Sequence, residues 1–511
     1  MANTINIPKT HIIMGLSLPL AILIGYFLAE PMELGSIAVV VMVFAVLCIP
    51  LMMRWYYPML VFCWNAAITP AFLPGRPALW AVLAFGGLLL CVLNRSVNAK
   101  ARFLNVPSIT KPMLFMTAVV LGTAMLTGGI GVQALGSATY GGKKYFYMFA
   151  GVAGYFVLTS RWIPPERAGL YVALFFLSGM TDAIADLAYA FGPQFRCVTA
   201  IVSPDYASEQ IGVNEAMSIR APTMVRMGGL GWLGTAAYTY LLARYGIRGL
   251  FEKPWRLLLL MLVLCAGLAG GFRSFVAMFG LTFGALFFLD RLHRTRYLPM
   301  LAGIALLGGA ILLPQANKLP LVAQRSLSFL PGKFDFVALE SAKDSTDWRV
   351  QMWKQVLPEI PRYLLRGKGY SMDASDFYMT LDNSARFSGD SLTGTIAAGD
   401  YHSGPLSIII PFGIWGVIGF FWFLWAALRL LHRTYKRSNP ALIHYNALFL
   451  ALFAARTFFF FFGFGSFHSD IAFFAGIVGM SIALNGTEES EAEEAERLVA
   501  GAELKTEYIK A

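Results

Sequence analysis

Apolar residues run along this chain in blocks of roughly 18–22, separated by short polar breaks. That block length carries an α-helix across the hydrocarbon layer of a bilayer. The pattern predicts about 14 spans, at 11–29, 35–53, 57–73, 78–94, 112–128, 143–160, 168–189, 228–246, 255–271, 274–290, 297–314, 405–428, 441–462 and 468–485. The first block lacks a small-residue cleavage site and another follows at once, so it predicts an uncleaved helix rather than a signal peptide. The expected fold class is an all-α polytopic membrane protein of about 14 transmembrane helices, with one large loop domain between spans 11 and 12.

Five regions follow from the pattern: helices 1–7 in 1–190, an outer loop with helices 8–11 in 191–314, the large loop domain in 315–404, helices 12–14 in 405–485, and an acidic tail in 486–511. No internal repeat of the inverted-transporter kind is visible. Within the loop domain, Ser345-Thr346-Asp347 followed by Trp348, Met352, Trp353, Val356 and Leu357 predicts an N-capped amphipathic helix, stopped by Pro358 and Pro361. Residues 365–400, rich in Gly, Ser, Asp and Thr, predict loop.

Composition and charge then narrow the class. With 57% hydrophobic and 14% charged residues the chain is not a soluble globular protein. With the N-terminus in the cytoplasm, 19 Lys and Arg residues fall in inside segments, against seven in the outside segments other than the large loop. The positive-inside bias therefore predicts both termini inside and the large loop outside. The net charge of +11 does not mark a nucleic-acid binder, because its basic residues sit in short loops that topology explains. The large loop itself balances ten basic against ten acidic side chains between Lys318 and Asp400. Cys197 is isolated in an outer loop and no Cys/His metal spacing occurs, so neither cysteine chemistry nor a metal is expected.

The candidate chemistry gathers on the outer side. Arg273, in Gly270-Gly271-Phe272-Arg273-Ser274, interrupts two spans with almost no loop. A guanidinium there suits bidentate contact with phosphate, or snorkels to headgroups. Arg349 lies in the amphipathic segment and His402 where the loop returns to the membrane. Imidazole is the side chain best suited to take a hydroxyl proton near neutral pH, although a surface histidine without a role is the plain alternative. Weaker candidates are Asp182 and Asp186, one turn apart in the seventh span, and Arg456 in the thirteenth, which could neutralise one of them. His468 beside Asp470 at the start of the fourteenth span, and Arg220 and Arg226 in the loop before the eighth, complete the set.

His402-Ser403, nine intervening residues, and then Gly413-Ile414-Trp415-Gly416 resemble the signature of the bacterial O-antigen ligase and polymerase superfamily. Asp347-Trp348-Arg349 with Trp353 and Gly367-Lys368-Gly369 is similar to that family's segment at the head of its periplasmic loop. Gly271-Phe272-Arg273-Ser274 is similar to its Ser-Arg-Gly turn, with Phe for Ser and Ser for Gly. The resemblance covers roughly residues 215–430. It implies a metal-independent, cofactor-free, inverting glycosyltransferase of the bacterial inner membrane. The donor would be an undecaprenyl-diphosphate-linked glycan and the acceptor a glycan or lipid hydroxyl at the periplasmic face. His402 would assist the acceptor, and Arg273 and Arg349 would hold the diphosphate. The superfamily contains ligases and polymerases, and the His-Ser form leans towards ligase. From other classes, a lipid-linked glycan flippase or a non-catalytic scaffold would share the many spans without the chemistry.

Overall fold

The computed structural model describes residues 25, 53–70, 73, 75–97, 103–130, 141–202, 226–372 and 391–486. The chain divides into two compact units, Met1–Tyr57 and Pro58–Ala511. In the first, Gly25 and residues 53–57 are helical. The expected spans 11–29 and 35–53 otherwise lie outside the described residues, as do Arg220 and tail residues 487–511. All elements named below belong to the second unit.

That unit is all-helical. In chain order its main helices are α1 (Leu79–Val97), α2 (Pro107–Thr127), α3 (Gly142–Leu158), α4 (Pro165–Leu177), α5 (Thr181–Ala190), α6 (Gly228–Phe251), α7 (Pro254–Ala269) and α8 (Arg273–Leu289). There follow α9 (Tyr297–Leu312), α10 (Leu321–Leu327), α11 (Phe336–Val356), α12 (Ser391–Ala397), α13 (Gly404–Lys436), α14 (Ile443–Phe462) and α15 (Phe467–Asn485). The described residues contain no strand, only isolated pairing such as Ile68 with Val202.

Among the described residues seven stretches are long and apolar enough to cross a membrane: Leu79–Ser96, Pro107–Thr127, Pro165–Ala190, Tyr297–Lys318, Gly404–Lys436, Ile443–Phe462 and Phe467–Asn485. They coincide with expected spans 4, 5, 7, 11, 12, 13 and 14. Expected spans 6, 9 and 10 are the shorter helices α3, α7 and α8, and span 8 is α6, kinked at Gly246. The expected third span differs. Its helix stops at Cys63, and the described residues beyond it are turn and extended backbone that include Pro70, Gly75 and Pro77. Prolines cannot supply helix N–H donors, and this backbone bonds to neighbours instead. Ala67 N–H donates to Thr181 Oγ1 (3.0 Å) and Thr69 N–H to the Ile201 carbonyl (2.8 Å). Irregular backbone at membrane depth is tolerated where protein covers it.

The polar segment between α9 and α13 differs from expectation as well. The amphipathic helix does not begin at Ser345; it begins nine residues earlier at Phe336, capped by Asp335, whose Oδ1 accepts Val337 N–H at 2.8 Å. Ser345-Thr346-Asp347 therefore cap nothing and sit inside α11. The residues from Phe336 to Lys343 are serviceable helix formers behind a strong N-cap, so the helix starts there. Residues 391–397, expected as loop, form α12, while 373–390 lie outside the described residues.

α11 fixes this segment to the bundle. Met352 and Val356 point into one cluster with Leu392, Tyr401, Leu406 and Ile410, and Trp348 and Trp353 pack against it. Positions 348, 352 and 356 form one stripe along the helix. α13 breaks at Gly413 (φ 62°), where a Cβ would stand 2.4 Å from the Leu364 carbonyl oxygen. The break frees carbonyls, and the Gly367-Lys368-Gly369 backbone takes them. Lys368 N–H donates to Ile410 O (2.8 Å) and Gly369 N–H to Pro411 O (3.0 Å), while Ile414 N–H donates back to Leu364 O (2.7 Å). Gly367 (φ 76°) has no room for a side chain, since a Cβ would lie 2.2 Å from Pro411 O. The two glycine motifs thus form one backbone joint that sets where the chain preceding α13 stands.

Candidate active site

His402 lies two residues before α13 and is half-buried. Its backbone is left-handed (φ 48°), a region that non-glycine residues enter rarely and that concentrates at functional sites. Tyr401, next to it, accepts the Trp353 indole N–H on its carbonyl at 3.0 Å. The imidazole packs edge-on against Trp348 (5.1 Å between ring centroids) and tilted against Phe464 (5.2 Å). Arg349, from α11, lies over the same Phe464 ring at 5.7 Å, so histidine and guanidinium share one aromatic floor.

Three further arginines converge beside Arg349. Arg273 opens α8 and donates to Thr346 Oγ1 on α11 (3.1 Å). Arg325, on α10, is 4% exposed; its Nη1 donates to the Gly271 carbonyl at 2.5 Å and its Nε to Ser341 Oγ at 3.1 Å. Arg226 lies over the Phe272 ring at 5.6 Å. Among the described residues no carboxylate pairs with any of the four. Burial, reinforced by Arg226, Arg273 and Arg349, pushes the Arg325 guanidinium down to about 10, still charged at neutral pH. Burial and then Arg273 also hold the Arg349 guanidinium below its ordinary value. Four like charges crowded together without a counter-ion among the described residues have the chemistry to bind a multiply charged anion.

The same surroundings act on His402. Burial first, then Arg349 and Lys144, hold the imidazole below its ordinary value, with Asp400 opposing them. His402 is therefore neutral at pH 7 and able to accept a proton. An apolar cleft of about 360 Å³ starts at Ser403 and runs between Trp353, Leu357 and Ile360 on one side and Leu406, Ile409 and Phe421 of α13 on the other.

Residues 257–421 match the family described as O-antigen ligase. The chain carries an O-antigen ligase domain. With the long apolar helices this marks an integral membrane protein, and over residues 257–421 it supports the O-antigen ligase and polymerase superfamily. The ligase domain includes Arg273, Arg325, Arg349, the Gly367–Gly369 turn, His402 and the Gly413 break, and leaves Arg226 outside. No curated protein matches the chain.

The remaining sequence candidates fall elsewhere. Asp186 accepts Gly229 N–H at 2.6 Å, which sets a carboxylate at the N-terminus of α6, where the helix dipole favours it. Asp182 lies one turn before it on α5. Arg456 does not take the expected role of neutralising one of these aspartates; instead its Nε donates to Asp470 at 2.7 Å. Asp470 lies in the first turn of α15 and is fully buried, so its carboxylate needs a cation. His468 exchanges a hydrogen bond with Ser466 (2.9 Å) and stands 6.5 Å from Tyr370, ring to ring.

Two residues of the site carry little signal in the sequence. Arg325 is only a basic residue on a short apolar helix until the fold brings it within reach of Arg273 and Arg349. Lys144 reads as an ordinary outside-loop charge, yet its ammonium bonds to Asp400.

Proposed function

We propose that this protein transfers a glycan from an undecaprenyl-diphosphate carrier to an acceptor hydroxyl at the periplasmic face of the bacterial inner membrane, as an O-antigen ligase. The observation that carries the reading is the juxtaposition of a neutral, half-buried imidazole with four guanidiniums that have no described carboxylate partner. The polar segment between α9 and α13 is then the periplasmic domain, and both termini are cytoplasmic.

The chemistry follows from the charges. The isoprenoid tail stays in the apolar phase, and the cleft beginning at Ser403 offers it an apolar wall beside the site. Arg273, Arg325 and Arg349, with Arg226, hold the diphosphate and stabilise the charge that grows on it as the glycosidic bond breaks. Guanidiniums with no carboxylate partner among the described residues need no partner exchange there to do so. His402 accepts the proton of the attacking hydroxyl. Attack opposite the diphosphate inverts the anomeric centre, and the two oppositely acting groups, base and anion clamp, must therefore stand on different sides of that carbon. No metal or cofactor enters this scheme.

A strain lacking the gene tests the reading. Glycan left on its lipid carrier as full-length polymer is the outcome expected of a lost ligase. Short unlinked repeats would make the protein a polymerase of the same superfamily, and lipid-linked donor trapped on the cytoplasmic face would make it a flippase.

A further inference from the structure

The head of α3 grips the polar segment at two places with two consecutive residues. Tyr145 accepts the backbone N–H of Tyr370 on its hydroxyl at 2.9 Å. Lys144 donates to the Ala398 carbonyl at 2.5 Å and to Asp400 Oδ1 at 2.6 Å, and its ammonium lies 5.0 Å from the Tyr370 ring centre. The Lys144 side chain is 16% exposed and that of Asp400 41% exposed. Lys144 is placed against two costs: it is drawn out of water, and it sits in the first turn of α3, where the helix dipole repels a cation. Among the described residues the two oxygens before His402 and the Tyr370 ring offset them. Those oxygens flank Gly399 (φ 71°), and the left-handed His402 follows two residues after Asp400. From the other side the same stretch is held by Trp353 on the Tyr401 carbonyl.

We propose that Lys144 is a positioning residue for the transfer reaction: by clamping Ala398 and Asp400 it fixes the turn that presents His402, and it neutralises the carboxylate two residues before the imidazole. The proposal rests on the reading of His402 as the base. Among the described residues the charged groups facing His402 are Arg349 from α11, Lys144 from α3 and Asp400 from its own turn. Arg349 is untouched by changes at the clamp, which leaves Lys144 and Asp400 as opposing levers on the same imidazole.

The levers give a signature that a merely structural lysine would not. The full-length protein in lipid nanodiscs is supplied with lipid-linked glycan extracted from cells lacking the gene, and donor consumption is followed against pH. In Lys144→Met the clamp is lost and Asp400 faces His402 unneutralised. Its kcat should fall about tenfold to a hundredfold with donor KM little changed, and the acid limb should move up by about one pH unit. Asp400→Asn should move that limb the opposite way. The double variant, which leaves no unpaired charge and so guards against misfolding, should return the limb towards wild type while kcat stays low. Lys144→Arg, able to reach both oxygens, should recover most of the rate. A wild-type kcat and acid limb in Lys144→Met, or limbs that move together in the two single variants, would overturn the positioning role. Transfer that persists in His402→Ala would instead overturn the base reading beneath it, so the two failures are distinguishable.

Discussion

Two sets of arginines in this protein are treated in opposite ways. Arg456, on α14, is matched by the buried Asp470 of α15, whose second oxygen accepts Ser466 N–H at 2.8 Å. Arg226, Arg273, Arg325 and Arg349 crowd one another, and among the described residues their partners are neutral: a carbonyl, two hydroxyls and aromatic faces. A buried cation with its own carboxylate is complete within the fold. Cations that repel one another and have only neutral described partners are suited to an anionic ligand. The comparison separates scaffold from site without reference to motif, and substitutions on either side can break it or sharpen it.

The largest effect belongs to the group that no arginine can replace. His402→Ala should lower transfer by about 10²- to 10⁴-fold, the usual contribution of a general base, with unchanged membrane yield. Activity measured on purified protein would show it, and a wild-type rate would remove His402 from the chemistry. In the wild type the rate should hold through neutral pH and fall only below the ordinary imidazole value of about 6.5. The direction is set by burial and Arg349, which favour the neutral ring; protonation as pH falls then removes the base.

Next come the anion ligands. Arg325→Met or Arg349→Met should each cost about 10²- to 10³-fold in kcat, the scale for deleting one charged donor aimed at a developing negative charge. Arg349→Met should also raise the pH at which the acid limb sets in, because a cation next to His402 is gone; Arg325, which is not among the groups acting on the imidazole, should leave the limb in place. Arg273→Lys should be milder, about tenfold, since a point charge remains but the planar fork is lost. Isotopically labelled donor binding, measured alongside the rate, would tell loss of the anion clamp from loss of a snorkelling headgroup contact, which would leave both unchanged.

How much of this is legible in the sequence depends on range. Apolar block length is a local property, and it locates the seven helices that are long and apolar enough to span. The prolines after Cys63 are equally local, but the blocks around them are apolar enough to hide a break that tertiary hydrogen bonds stabilise. The start of α11 is hidden because Trp348 and Trp353 make the second half look like the whole helix, while Asp335 caps it well before that stripe begins. His402, Arg273 and Arg349 stand out through spacing and position. Arg325 and the Lys144–Asp400 pair do not, because their meaning comes from contacts that span 54 and 256 residues of chain. The pairing of Arg456 is the instructive miss. Proximity in expected depth points to Asp182 or Asp186, but Asp186 is already occupied by the N-terminus of α6, and Asp470 lies buried on the neighbouring helix.

The smallest effect on catalysis should come from that paired arginine, and it is the sharpest test of the contrast. Arg456→Met strands the buried Asp470 carboxylate without its cation. Breaking one half of a buried pair costs about 3–5 kcal/mol, so the variant should melt well below wild type in detergent. Asp470→Asn on top of it removes the stranded charge and keeps a side chain that can still accept Ser466 N–H, so the double variant should recover most of the lost stability. Its transfer rate, measured below the melting range, should stay within a few-fold of wild type, since neither residue touches the arginine cluster or His402. The same treatment of the site cannot give that pattern: there is no described carboxylate to remove with Arg325 or Arg349, and no second substitution should restore the rate. A double variant at Arg456 and Asp470 that is stable but inactive would place this pair in the reaction and erase the distinction between the two sets.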